Sequence, residues 1–179
     1  MFTSITAALR YFDSVHQRTM RDIGALPAAA DGWTPPSGWD EGAWSINTLI
    51  GHIATTRLFF VRAYRGEGWR PPPPSDPPAR ARWLTVLTDS AAEIHRLLEG
   101  TPDAWLERRI PMMDTEGSLS GARILLLMAE HEIHHRSQID TYAGLNGWRV
   151  PHLYGRGWEE IQELSSGTPE ESGGVRRTE

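Results

Sequence analysis

The segment GEGWRPPPPSDPP, residues 66–78, constrains the fold more than any other stretch of the chain. Proline fixes φ and has no amide hydrogen, so the run Pro71 to Pro74 ends any helix and cannot sit in a central strand. Four consecutive prolines favour extended polyproline II geometry. On both sides of the run the apolar residues recur at intervals of three and four, which is helical spacing. The helix before it, opening at the N-cap Ser45 and ending near Gly66, has about 21 residues and a length of ~31 Å. A connector of about 13 extended residues reaches ~40 Å. It is long enough to run back along that helix, so the third helix can start beside the start of the second. A four-helix bundle with one long crossover between helices two and three has that connectivity.

The other elements read from the same periodicity. The first helix runs from about Phe2 to Ile23, carries Ile5, Leu9, Phe12, Val15 and Met20 on one side, and is closed by Gly24 and Pro27. The inward stripe of the second reads Leu49, His52, Ile53, Thr56, Phe59 or Phe60, and Ala63. The third spans about Ala79 to Leu98, with Gly100 and Pro102 beyond it and a short turn over Asp103 to Leu106. The fourth starts near Ser118 or Ser120 and stops at Gly144 or Asn146-Gly147. A last short helix is expected from Tyr154 to Leu164, and SSGTPEESGGVRRTE has the composition of a disordered tail. No segment sustains a strand alternation and no repeat is present. The expected fold is all-α without a sheet, with residues 1–164 as one helical-bundle domain and 165–179 as the tail.

Composition narrows the function classes. Hydrophobic residues make up 39% and charged residues 23% of the chain, enough apolar material for one sizeable core. The net charge is −5 and the densest basic stretch, Arg80 to Arg82, holds only two arginines, so a nucleic-acid surface is not expected. There is no cysteine, which removes disulfides, thiolate ligands and a cysteine nucleophile together. Any metal must then be held by imidazole and carboxylate, and any thiol chemistry needs a thiol that arrives with the substrate. The N-terminus lacks the pattern of a signal peptide, and the longest apolar run, Ile124 to Ala129, is far short of the ~20 residues of a membrane span. The expectation is a soluble, cytoplasmic protein.

The chemistry-bearing stretch is AEHEIHHRSQI. His131 and His135 stand four apart on the fourth helix, so their side chains project from one face, one turn above the other. Two imidazoles so placed can bind one metal ion. The stripe through them continues as Leu127, His131, His135, Gln138 and Tyr142. His134 lies about 100° round the helix from His135, outside any shared coordination shell. His52, on the apolar stripe of the second helix, supplies the third ligand if helix two faces helix four. Burying three neutral imidazoles without a shared partner leaves several ring nitrogens to satisfy, so the three together argue for a divalent metal more strongly than each does alone.

The remaining polar candidates read as ordinary structure. His16 suits a capping or surface role, His95 sits among Glu93, Arg96 and Glu99 on a solvated face, and His152 falls in a loop. Asp89 and Glu93 look like surface charge. Glu132 makes one Glu-x-x-His spacing with His135, but a di-iron bundle needs a second copy, and none exists. Trp33, Trp39, Trp44, Trp69 and Trp148 fall in or beside loops, where they either anchor irregular segments to the bundle or wall a substrate pocket.

The combination of WSINTLIGHIATTRLFF, AEHEIHHRSQIDTYAGLNG and WRVPHLYG resembles the DinB/YfiT-like superfamily of small helical metalloproteins. The similarity runs from the first helix to about Leu164 and is weakest in the proline connector. The resemblance implies a four-helix bundle with a long crossover, metal ligands at His52, His131 and His135, and a zinc, nickel or other divalent ion. It implies a homodimer as well. Some members of the superfamily are thiol-dependent enzymes, including bacillithiol S-transferases and mycothiol-dependent maleylpyruvate isomerases. The function implied is activation of a small-molecule thiol for transfer to an electrophilic substrate. A metal-dependent hydrolase and a non-catalytic, stress-associated metal-binding dimer are the alternatives. Gln138 and Tyr142 are candidates to orient substrate or water, and Arg136 to pair with a carboxylate on the substrate or the partner subunit. Imidazole ligands do not choose among zinc, nickel, copper and iron.

Overall fold

A computed structural model describes residues 1–36, 43–71, 73, 75–152 and 155–166. Trp39, Tyr154 and all but the first two residues of the expected tail lie outside the described residues. Four long helices dominate: α1 (Ile5–Ala25), α2 (Ile46–Arg65), α3 (Trp83–Leu98) and α4 (Gly121–Leu145), followed by a short α5 (Trp158–Ser166). Serine begins three of them, since the side chains of Ser4, Ser45 and Ser120 accept the amides of Ala7, Thr48 and Arg123. Gly66 ends α2 at φ 84°, a left-handed cap that other residues adopt at a cost. Ser165 and Ser166, expected in the tail, belong to α5.

Contacts along the helices give their directions. Arg57 bonds Leu87 and Ser90 while Arg65 bonds Leu97, so α2 and α3 run parallel. Leu84 lies by Gly24 and His95 by Asp13, so α3 runs against α1. Helix α4 opposes α2, with Gly121 against Tyr64 and His135 near His52. The proline connector therefore crosses the length of the bundle, and its end packs on the beginning of α2. A Cβ on Gly51 would stand 3.0 Å from the Pro78 ring.

One expectation fails. Arg109–Pro111 and Ser118–Ser120 pair as a two-stranded antiparallel ribbon ahead of α4, where no sheet was expected. Three residues per strand are too few to display an alternation, so the sequence carried no readable signal for it.

The core has two apolar halves. One gathers Phe12, Val61, Tyr64, Ile94, Leu98, Leu125 and Met128, and the other Ile23, Ile46, Ile50, Ile53, Trp83, Leu87 and Ile139. Between them lies a buried polar layer of Thr19, Asp22, Arg57, Ser90, Glu132, His135 and Arg136, drawn from the C-terminal half of α1 and the middle of α2, α3 and α4. Burial of charge on this scale demands pairing, and the functional residues stand at this level.

Candidate metal centre

His52 comes from the second turn of α2, and His131 and His135 from the middle of α4. Their Nε2 atoms converge: His131 Nε2 lies 3.2 Å from His52 Nε2 and 3.2 Å from His135 Nε2. One ligand nitrogen from each of the three falls within 4.8 Å of the others. Nitrogens held ~2.1 Å from one ion, at ~95–109° to each other, stand ~3.1–3.4 Å apart. A hydrogen-bonded trio explains the spacing less well, because one ring nitrogen offers either one proton or one lone pair, not a bond to each of two neighbours.

The other ring nitrogens set the tautomers. Gln138 Oε1 lies 2.6 Å from His135 Nδ1, and an amide oxygen can only accept, so His135 carries its proton on Nδ1. Thr56 donates its hydroxyl hydrogen to the His52 carbonyl at 2.7 Å, which leaves its lone pair to accept from His131 Nδ1 at 3.3 Å. Both arrangements turn an Nε2 lone pair toward the meeting point, as metal-ligating histidines require. Burial, reinforced by the neighbouring His135, lowers the His52 pKa to about 4. Burial likewise lowers His131 to about 4, with His135 and His52 adding to the effect. Burial lowers His135 too, against a smaller opposing contribution from Gln138. All three are neutral near pH 7, the protonation state that binds metal. The donor set, its spacing and its tautomers fit one divalent ion.

Aromatic rings frame the three imidazoles. Trp44 lies edge-on to His52 at 4.6 Å and stacked on His135 at 5.9 Å, while Phe60 meets His131 at 5.6 Å. Beside them opens a cavity of about 510 Å³, walled by Trp44 and the α2 face from Thr48 to Phe60, with Pro71, Pro73 and Asp76 of the crossover on the far side. The connector that sets the topology also roofs the site. Trp44 lines this cavity, whereas Trp33 and Trp148 anchor a loop on Tyr142 and each other.

The other sequence candidates are placed elsewhere. His134 is exposed and packs on His135 from outside the group of three. His95 pairs with Asp13 at 2.7 Å, and that bond raises its pKa. Gln138 touches the site through His135, while Tyr142 is buried against Trp33. Arg136 is 4% exposed, with Nε 3.4 Å from Asp22 of α1.

Sequence reasoning missed Arg57 and Glu132. All five N–H groups of Arg57 find acceptors: both Glu132 oxygens at 2.7 and 2.9 Å, the Leu87 carbonyl and Ser90 hydroxyl at 2.8 Å, and His16 Nδ1 at 3.0 Å. Thr19 adds a 2.7 Å bond to Glu132. His16, expected in a capping or surface role, instead stacks on Phe12 and is kept neutral by burial and by the Arg57 charge. The signal was spacing: Arg57 continues the buried row Ile50, Ile53, Ala54, Val61 and Tyr64, while His52, Thr56 and Phe59 lie at its half-buried edge.

Comparison with known proteins agrees with this architecture. A crystal structure of a DinB-like protein from Bacillus cereus matches with a TM-score of 0.68 and 15% identity, over 85% of this chain and 99% of that one. A DinB-like protein from Bacillus subtilis matches with a TM-score of 0.61 and 20% identity, over 82% of this chain and 96% of that one. The search of curated proteins returned no match. The model of the DinB superfamily matches residues 11–139, a span that holds all three histidines, and the chain belongs to that superfamily.

Proposed function

We propose that the protein binds one divalent ion, zinc or nickel, through His52, His131 and His135, and uses it to activate a small-molecule thiol for transfer to an electrophile. The observation that carries the reading is the convergence of three neutral Nε2 atoms at the wall of an apolar cavity. Three protein ligands leave a coordination position open, which distinguishes a catalytic site from a closed structural one. A divalent ion there supplies Lewis acidity, which lowers the pKa of a thiol or a water molecule. The chain's own part is to hold His135 and His131 in fixed tautomers through Gln138 and Thr56, and to enclose the ligand between Trp44, Phe60 and the proline connector. The absence of cysteine is consistent with a thiol that comes from solution. The adjoining cavity favours an enzyme over a metal-storing dimer, whose site needs no such space. The resemblance adds that the working form is a homodimer.

The test is metal analysis of the purified protein followed by a screen of low-molecular-weight thiols against electrophiles. Product formation that needs both metal and thiol, and stops with chelator, supports the reading. Turnover of an ester or amide without thiol replaces it with a metal-dependent hydrolase.

A further inference from the structure

The cavity beside the histidines has a polarity of its own. We infer that it selects a ligand whose body, beyond the atom directed at the metal, is apolar and either uncharged or cationic: an aromatic or alkyl thiol bearing hydroxyl or amino groups, not carboxylates. The inference rests on the metal reading above and adds the chemistry of the ligand.

Two observations carry it. The first is the wall. Trp44, Phe59, Phe60, Pro71 and Pro73 give broad apolar contact, and about 510 Å³ is room for a small organic molecule. The second is the sense of the polar groups among them. Thr55 donates its hydroxyl hydrogen to the helix carbonyls of Gly51 and His52 at 3.0 and 3.1 Å, and Thr56 donates its own to His52 at 2.7 Å. Both threonines therefore offer the cavity a methyl group and lone pairs, but no proton. Asp76 adds a carboxylate, and among the described residues no arginine or lysine lines the space.

A carboxylate on the ligand body would give up water to a largely apolar wall that offers no cationic side chain among the described residues, and would face a like charge. An ammonium or hydroxyl group meets acceptors, and a cation also meets the faces of aromatic rings. Three imidazoles bring no charge of their own, and Asp76 is the charged side chain that lines the outer cavity among the described residues.

The test uses the full chain loaded with cobalt(II), with metal content measured first. Three probes of similar shape are titrated by calorimetry: benzyl mercaptan, 4-(aminomethyl)benzyl mercaptan and 4-(mercaptomethyl)benzoate. The neutral and cationic thiols are expected to bind at least about tenfold more tightly than the benzoate, a difference of ~1.4 kcal/mol. Asp76→Lys, a change on an exposed loop, should reverse the order of the amine and the benzoate. Equal affinities, or an order that Asp76→Lys leaves as it is, overturn the inference while the metal reading stands. A protein that takes up no cobalt overturns the metal reading and this inference with it.

Discussion

On one side of α4, Glu132 meets Arg57, and all five Arg57 N–H groups and both Glu132 oxygens are hydrogen-bonded within the chain. On the other side, His131 and His135 meet His52, and three ring nitrogens converge, those of His131 and His135 presenting lone pairs. Both groups stand at the same level of the bundle, both are sheltered from solvent, and each draws on more than one helix. They differ in closure. The Arg57 cluster pairs donors with acceptors and calls for nothing from outside. The histidine cluster converges on a point with no donor from another residue, and its geometry has room there for a cation. Burial alone does not separate a structural polar group from a functional one; the count of donors against acceptors does.

The difference predicts opposite responses to mutation. The largest effect is expected on metal binding: His131→Ala or His135→Ala should abolish stoichiometric uptake, whereas His134→Ala and His95→Ala should leave it intact. Plasma emission analysis of dialysed protein is the measurement. In the wild type, an ion that binds only the folded chain adds ~4 kcal/mol of stability at a free concentration ~1,000 times its dissociation constant, read as a rise in Tm. Full occupancy in a His52→Ala/His131→Ala variant would remove the site altogether.

On the closed side the loss should appear in folding, with or without metal. Glu132→Ala leaves the Arg57 guanidinium, 1% exposed, without its counter-charge, and breaking such a buried pair costs about 3–5 kcal/mol. Replacing both partners with apolar residues of similar volume, as in Arg57→Met/Glu132→Leu, should recover most of that loss, because no orphaned charge remains. Chemical denaturation of the two variants in chelator makes the comparison. A Glu132→Ala protein as stable as the wild type would show that the closed network contributes little, and the contrast between the two sides would collapse.

Sequence alone made one of these sides legible and hid the other. The i, i+4 spacing of His131 and His135 places both on one face whatever the helix packs against, and the reach of the proline connector allowed α3 to start beside the start of α2, as it does. The ends of α2 followed from the Ser45 cap and the Gly66 stop, and the start of α4 from Ser120, signals that act locally. Arg57 and Glu132 were hidden because a charged residue inside an amphipathic helix usually faces water, and only a partner on another helix makes it a core residue. Each stood on a buried row, Arg57 between Ala54 and Val61, and Glu132 between Met128 and Ile139. His16, expected in a capping or surface role, likewise meets Arg57 and Phe12, and Arg136, expected to pair with a carboxylate of a substrate or a partner subunit, lies beside Asp22.

A middle-sized effect tests whether the acceptors behind the histidines matter. Gln138→Leu removes the oxygen that holds His135 by its Nδ1 proton, and Thr56→Val removes the one behind His131. Outer partners of this kind are worth about 10- to 100-fold in metal affinity. Competition against a chromophoric chelator should show that loss in each variant with little change in the stability of the metal-free protein. Unchanged affinity in both would mean that α2 and α4 hold the imidazoles by packing alone.

The smallest effect expected is in the pH dependence of the metal-free protein, where the two polar faces of α4 have opposite signs. Folding keeps His52 and His131 neutral, with pKa values of about 4 against an ordinary 6.5. Their contribution is complete above pH 6.5 and is lost as the pH falls toward 4, because the unfolded chain takes up protons first. Asp140, one turn beyond Arg136, goes the other way: burial, with Asp22 nearby, pushes its carboxyl from 3.8 up to about 6. Keeping it ionised costs stability above pH 6, and that cost is relieved as the pH drops toward 3.8. Between pH 6.5 and 4 the histidines lose stability while Asp140 regains it, so the wild-type profile should be shallower than either group alone would give. Asp140→Asn should raise the denaturation midpoint at pH 7.5, lose that advantage by pH 4.5, and so steepen the acid limb. His52→Gln/His131→Gln should flatten the same limb. Saturating zinc should shift the wild-type acid limb to lower pH, because protons must displace the ion before they reach the imidazoles. A profile that neither substitution alters would mean that these groups titrate alike in the folded and unfolded chain, and that the polar layer is open to water.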